Sequence, residues 1–255
     1  MAYEFEKMFD LSGKTAIVTG AAAGIGLAIS RALAARGASL MLVDLSPAVN
    51  DLPGQLPGGA GRHAAVVADL AQKGAVEKVV SATVARFGGI DILVNNAGIA
   101  RLEKAELQTE EDWDKTLTVN LKVPFLLAQA AGKVMISRKY GRIVNIASQA
   151  AVIALDRHVS YCTSKAGLVG MTKVLAAEWA QHGITVNAVS PTVVETELGK
   201  KAWSGEVGEA MKKKIPTGRF AQPEEIALAV LYLVSGAAAM VDGENLMIDG
   251  GYTIQ

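Results

Sequence analysis

Between Gly13 and Asp44 the chain runs through a strand, a glycine-rich turn, a helix, a second strand and a terminal carboxylate, in that order. Thr15, Ala16, Ile17 and Val18 form a short apolar, β-branched run bounded by Gly13 and Gly20, the pattern of a buried strand. Gly20, Gly24 and Gly26 come next. Leu27, Ile29, Leu33 and Ala34 then recur at helical spacing until Arg36 and Gly37 end the run. The glycines thus join a strand to a helix N-terminus. Free N–H groups and the helix dipole there attract a pyrophosphate, and glycine permits the sharp turn and close approach. The second strand, 39–43, ends at Asp44, eighteen residues after Gly26, near the offset of an acid that bonds adenosine-ribose hydroxyls. A glycine turn alone is often only a turn, but the whole series predicts dinucleotide binding.

The same residues bear on which dinucleotide. A carboxylate at Asp44 repels a 2′-phosphate and accepts bonds from a 2′-hydroxyl. Leu45 follows it, and Ala23, not a basic residue, precedes the second glycine. NAD is therefore favoured over NADP.

A second constellation carries proton chemistry. Tyr161 and Lys165 stand four residues apart, on one face of a predicted helix, and Ser148 lies thirteen residues before the tyrosine. A phenol with an ordinary pKa near 10 is a poor base at neutral pH, and a neighbouring ammonium favours the phenolate. Ser148 is placed to hold a substrate oxygen. With 5 tyrosines and 25 Lys+Arg, chance alone supplies roughly 0.5 such pairs per chain, so the pair needs the support that the glycine turn gives it.

Strand-like runs at 15–18, 39–43, 64–68, 90–94, 142–146, 185–189 and 245–248 alternate with helical runs at 25–36, 74–87, 110–119, 121–138, 161–181 and 223–234. Such alternation predicts a single α/β domain over 1–255: a doubly wound, mostly parallel seven-stranded Rossmann sheet with helices on both faces. No linker or repeat divides it, and 53–59 reads as a surface loop. Gly20, Asp44, Asp69, Asn95, Ser148 and Ser190 all fall at or just past strand ends, where ligands bind in such sheets.

The chain resembles the classical short-chain dehydrogenase/reductase family from about Leu11 to its end. The family's Thr-Gly-x-x-x-Gly-x-Gly is matched from Thr19 to Gly26, its Asn-Asn-Ala-Gly by Asn95 to Gly98, its helix asparagine by Asn120, and its Ser and Tyr-x-x-x-Lys by Ser148, Tyr161 and Lys165. The resemblance implies Asn120, Ser148, Tyr161 and Lys165 as the catalytic set. It implies cofactor contacts from Gly20, Gly24, Ile25, Gly26, Asp44, Asp69, Leu70, Asn96, Tyr161 and Lys165, with Val194 and Thr196 on the nicotinamide carboxamide. Asn120 would help hold a water linking Lys165 to solvent; the alternative is a helix-kink residue satisfied internally. One departure stands out. Pro191-Thr192 replaces the family's Pro-Gly, and threonine does not readily take positive φ, so the usual loop path is not assumed here.

Within the family the nearest match is to bacterial polyol dehydrogenases, tetritol enzymes acting on D-threitol in particular. That resemblance rests on 97–102 and on the ending 249–254. It implies a polyol or ketose as substrate, with Gln149, His158 and Trp203 as pocket candidates; His158 as a loop histidine and Trp203 as surface packing are the plainer readings. Segment 195–214 would form a lid, and 1–10 an N-terminal extension. The competing functions are reduction of 3-oxoacyl thioesters or other ketones, and a non-catalytic NAD-binding regulator. Related enzymes pair the two long helices in a homotetramer. No metal is expected in the catalytic site. Some tetrameric relatives hold magnesium near the C-terminal carboxylate, with which Gln255 is compatible.

Composition sets the remaining bounds. The 25 basic and 25 acidic side chains balance, and no basic block suggests nucleic acid. Cys162, the one cysteine, excludes an internal disulfide and fits a reducing compartment. Glu4, Glu6 and Asp10 are unlike a signal peptide, and the apolar stretches read as too short or too interrupted to span a bilayer. A cytoplasmic location with no membrane partner is expected.

Overall fold

The computed structural model describes residues 4–197, 199 and 203–254. Seven parallel strands make one sheet in the order β3-β2-β1-β4-β5-β6-β7. They are β1 (Thr15–Thr19), β2 (Ser39–Asp44), β3 (His63–Val67), β4 (Ile92–Asn95), β5 (Gly141–Ile146), β6 (Ile184–Pro191) and β7 (Asn245–Ile248). The order reverses between β1 and β4, which opens a crevice beyond their carboxyl ends.

The helices are α1 (Gly24–Ala35), the short α2 (Gly59–Arg62), α3 (Ala75–Phe87), α4 (Glu110–Leu117), α5 (Val123–Arg138), α6 (Val159–Trp179), α7 (Gly205–Lys212) and α8 (Pro223–Val234). Side chains alternate across the sheet with period two. On β1, Ala16 and Val18 join a cluster with Ile29 and Leu33 of α1 and Ile226 and Val230 of α8. Ile17 enters the opposite cluster, with Val79 of α3 and Leu127 and Met135 of α5. Central strands such as β1, β5 and β6 are buried along their whole length, as parallel sheets covered on both faces require.

Three features differ from the sequence expectations. The expected helices 110–119 and 121–138 are one continuous run, joined by a π-turn over Thr118–Lys122. By length and composition alone, Glu110–Arg138 could cross a membrane. Its apolar side is instead spent on the sheet, with Leu127, Ala128, Ala131 and Met135 buried in the core. The segment 53–59, expected as a surface loop, contributes Leu56 to the core, where it packs with Val49 and Leu52 of the preceding turn, beside 3-10 turns at Pro47–Asp51 and Pro53–Gln55. Finally, 195–214 contains helix α7, while Leu198, Lys200, Lys201 and Ala202 lie outside the described residues, as do 1–3 of the N-terminal extension and Gln255.

Candidate active site

The glycine turn is held in shape by its neighbours. Gly20 and Gly24 take φ of +65° and +55°, the left-handed region where a side chain is costly. A Cβ on Gly26 would lie 2.0 Å from Gly20 O, so only glycine lets α1 start this close to β1. Asn96 Nδ2 donates to Thr19 O at 2.9 Å and Gly20 O at 3.1 Å, and Thr19 Oγ1 accepts from Asn96 N at 3.0 Å and Ala97 N at 3.1 Å. Asp44 closes the other side: Oδ2 accepts from Ala22 N and Oδ1 from Ser46 N, both at 2.8 Å. Each carboxylate oxygen retains a lone pair for a ribose hydroxyl. The turn, the start of α1 and the acid thus fit a dinucleotide. Asp69 is exposed and caps its own turn through Ala71 N at 3.0 Å, beside the half-buried Leu70.

Beyond the strand ends a cleft is lined by Ile25, Asn96, Gly98, Ile99, Ala100, Ser148, Tyr161, Lys165, Pro191, Thr192 and Val194, among others. It brings together residues from the loops after β1, β4, β5 and β6. Tyr161 and Lys165 sit one turn apart on α6, with Lys165 Nζ 5.6 Å from the phenol ring centroid. Lys165 is buried, donates to Ile146 O at 2.7 Å, and is desolvated enough that its pKa falls to about 8. Burial also dominates at Tyr161 and pushes the phenol above its ordinary value, against the opposing pull of a hydrogen bond from Ser148. The lowering of Tyr161 expected from Lys165 is thus not seen; the hydrogen bond from Ser148 is what pulls the phenol down. A cation can depress a neighbour only to the extent that it remains charged, and the same burial weakens both ionised forms.

Asn120 stands behind the cleft in the π-turn, fully buried. Its Oδ1 accepts from Ile99 N at 2.8 Å, and its Nδ2 donates to Ile99 O at 2.8 Å and Ser164 Oγ at 3.1 Å. The side chain is thus satisfied internally and holds the Gly98-Ile99 strip against α6. A Cβ on Gly98 would sit 3.3 Å from Asn120 Oδ1 and 3.6 Å from Lys165 Nζ, so this glycine also brings the strip close.

The remaining predicted residues lie around the cleft. Val194 is on its wall, and Thr196 follows, with its methyl 3.0 Å from a Cβ built on Gly24. Gln149 is buried, and its Oε1 finds no hydrogen-bond partner among the described residues. His158 meets Tyr161 edge-on, ring centroids 6.0 Å apart, and lines the neighbouring groove rather than the cleft wall. Its Nδ1 lies 2.5 Å from Asp156 O; a carbonyl can only accept, so Nδ1 is the donor of this bond and Nε2 takes no part in it. Trp203 packs edge-on against Phe220 at 6.3 Å, in a cluster with Met211 and Ile215, and does not line the cleft. Thr192 avoids the left-handed region: among the described residues only Lys139 and Arg157 take positive φ without being glycine. Thr192 lines the cleft, with its Oγ1 buried.

A family model described as enoyl-(acyl carrier protein) reductase matches residues 20–253. The chain is 54% identical over 251 residues to an NAD-dependent glycerol dehydrogenase of Listeria innocua, covering 98% of each. The chain belongs to the short-chain dehydrogenase/reductase family. It is also 55% identical over 248 residues to a D-threitol dehydrogenase of Mycolicibacterium smegmatis, covering 97% of this chain and 95% of that one. Among solved structures, a putative NAD(P)-dependent gluconate 5-dehydrogenase from Beutenbergia cavernae with bound NADP superposes with a TM-score of 0.92 at 36% identity, over 97% of this chain and 100% of that chain. In this chain Ser148, Tyr161 and Lys165 meet in the strand-end cleft, beside Asn96, Thr192 and Val194.

Proposed function

We propose that this chain is an NAD-dependent dehydrogenase that oxidises a secondary alcohol of a polyol to a ketose, with a tetritol such as D-threitol as the favoured substrate. The observation that carries the reading is the meeting of Ser148, Tyr161 and Lys165 in one cleft beside a glycine turn closed by Asp44. The glycerol and threitol activities named for the two relatives support the substrate class. Asp44 supports NAD over NADP, and hence oxidation over a biosynthetic ketone reduction.

When bound, the nicotinamide accepts or supplies the hydride at its C4. Ser148 holds the substrate oxygen by hydrogen bond. Tyr161 takes the hydroxyl proton during oxidation and returns it during reduction. Lys165 steadies the phenolate and bonds the nicotinamide ribose. Asn120 fixes the Ile99 strip behind Lys165, and its Oδ1, which among the described residues accepts only from Ile99 N, keeps a lone pair for a water that links Lys165 to solvent. Val194 and Thr196 would hold the carboxamide; Gly20, Gly24, Ile25 and Gly26 the pyrophosphate; and Asp44, Asp69, Leu70 and Asn96 the adenosine side. His158, on the neighbouring groove, and the buried Gln149, whose Oε1 is without a partner among the described residues, would meet further substrate hydroxyls only from behind the cleft wall. A pocket with such unsatisfied polar groups discriminates against substrates that leave them unpaired. Segment 195–214 would close over substrate, with Trp203 acting from its packing on Phe220.

We assign the assembly as a homotetramer. Leu121, Phe125 and Met171 form an apolar groove between α5 and α6, and Val174 is exposed nearby. Leu228, Tyr232, Met240 and Ile254 leave further large apolar side chains in solvent. A monomer in light scattering at micromolar concentration would refute this. The free Cys162 and the NAD chemistry support a cytoplasmic location.

The deciding experiment is nicotinamide reduction by the purified protein with NAD and NADP across tetritols, pentitols, hexitols and simple diols. Turnover with NAD and one stereoisomer is expected. Silence across the panel, with NADH shown to bind, would discard the polyol reading in favour of oxo-thioesters, other ketones or a regulatory role.

A further inference from the structure

Thr192 stands where the family pattern has glycine, and its hydroxyl is left over. The residue follows β6 directly, and its main-chain N–H donates to Ile248 O at 3.1 Å, which fixes its backbone against β7. It is 8% exposed and lines the cleft with Pro191, Val194, Ser148, Tyr161 and Lys165. Its Oγ1 is fully buried and has no hydrogen-bond partner among the described residues.

Nearby hydroxyls behave differently. Thr19 Oγ1 serves Asn96 N and Ala97 N, Ser164 Oγ donates to Tyr161 O at 2.8 Å, and Ser190 Oγ, two residues before Thr192, donates to Asn245 Oδ1 at 2.6 Å. A buried hydroxyl without a partner carries its full desolvation cost, whereas a valine of the same shape would carry none. The backbone here makes no demand for threonine, since φ lies outside the left-handed region.

We propose that Thr192 is a ligand-positioning residue whose hydroxyl finds its partner in the bound ligand: the nicotinamide carboxamide, or a hydroxyl of the polyol lying against it. Both present a carbonyl or hydroxyl that a threonine hydroxyl can meet as donor or acceptor. The proposal rests on the reading of the cleft as the nicotinamide and polyol site.

The test uses the full chain with Thr192→Val, which keeps the shape, and Thr192→Ser, which keeps the hydroxyl. Three quantities are measured: the melting temperature without ligand, the Kd for NADH by fluorescence, and the KM for the polyol at saturating NAD. Loss of one hydrogen bond of ordinary strength predicts a change of about 5–10-fold. For Thr192→Val this is expected in the Kd for NADH if the carboxamide is the partner, or in the polyol KM alone if the substrate is. Thr192→Ser should stay within about twofold of wild type in both. The ligand-free melting temperature of Thr192→Val should be unchanged or raised.

The proposal is overturned if Thr192→Val matches wild type in both Kd and KM, or if its ligand-free melting temperature falls by several degrees, which would make the hydroxyl a support of the fold. A wild type that binds NADH but turns over no polyol brings down the polyol reading alone, and the NADH arm then decides on Thr192. A wild type that does not bind NADH brings down the cleft reading, and Thr192 with it.

Discussion

The nucleotide side of the site and the substrate side are built on different terms. Around the glycine turn, the polar groups of Asn96, Thr19 and Asp44 are tied to one another through main-chain atoms of Gly20, Ala22 and Ala97. The geometry is local, glycine-dependent and complete before any ligand arrives. On the far side, Gln149 Oε1 and Thr192 Oγ1 are buried without partners among the described residues, and Arg157 sits in the left-handed region at φ +63°. The polar groups that shape the glycine turn are thus engaged with one another, whereas Gln149 Oε1 and Thr192 Oγ1 are not. Tyr161 and Lys165 stand at the seam.

The sharpest way to separate the two sides is to cut at that seam. Tyr161→Phe removes the proton carrier and nothing that holds the nucleotide turn, so turnover should fall by about 10²–10⁴-fold while NADH affinity and melting temperature hold. Retained turnover with cofactor bound would sink the assignment. Gly26→Ala attacks the other side. Its Cβ would meet Gly20 O at 2.0 Å, and overpacking of about 1–3 kcal/mol, borne by binding, weakens NADH by about 10–100-fold. Equal NADH affinity in a titration of this variant would show that the turn can relax.

Asp44→Ala tests whether the nucleotide side also chooses its cofactor. The variant loses a carboxylate that accepts from Ala22 N and Ser46 N, so NAD affinity should fall by about tenfold. NADP should lose less, because a repulsion disappears with the charge, and the ratio of the two kcat/KM values should narrow. An unchanged ratio would shift the preference to other residues.

Lys165 links the seam to stability. In the folded protein its pKa is about 8, and in the unfolded chain it is near 10.5. Between those values the unfolded chain holds a proton that the folded protein has shed, so stability rises with pH across that window. Below it, both states are protonated and the folded state bears the cost of a buried charge. Lys165→Met has no such term. The stability of wild type relative to Lys165→Met should therefore rise from pH 8 toward 10.5, by up to about 3 kcal/mol. Urea denaturation at pH 7.5 and 9.5 reads this directly; a gap that is flat or falls with pH would show the ammonium to be solvated.

The same division explains what was legible in the sequence. The glycine turn, Asp44 and the Tyr161–Lys165 spacing are patterns of near neighbours, and the fold followed from strands and helices of ordinary period. The π-turn at Thr118–Lys122 was legible only as a break between two helices: Pro124 has no N–H for the carbonyl four residues before it, but that alone does not say that the chain continues through a π-turn. Leu56 looked like a loop residue among prolines and glycines, and only the packing with Val49 and Leu52 reveals it as core. For Trp203 the sequence leaves the lid and surface packing open, and the contact with Phe220 is visible only in the fold. The direction of the Tyr161 shift was missed for a related reason. An i,i+4 spacing shows the cation, but burial is a sum over the whole fold.

The smallest expected effect probes how loosely the substrate side is held. Arg157 precedes His158, its carbonyl accepts from Glu103 N at 3.0 Å, and its guanidinium meets Glu103 Oε1 at 3.3 Å. Both side chains of the ion pair are well exposed, so the pair contributes only about 0–1 kcal/mol. Arg157→Gly removes it and also relieves the left-handed strain, two terms of similar size and opposite sign. Melting temperature should therefore stay within a few degrees of wild type, and NADH affinity should not change, since no nucleotide contact passes through this loop. The polyol KM should rise by about two- to threefold as His158 loses its fixed approach to Tyr161, because positioning of this kind costs well under 1 kcal/mol per loosened contact. A fall in NADH affinity of the same size would mean that the two sides of the site are coupled through this loop, and the division drawn here between them would have to be redrawn.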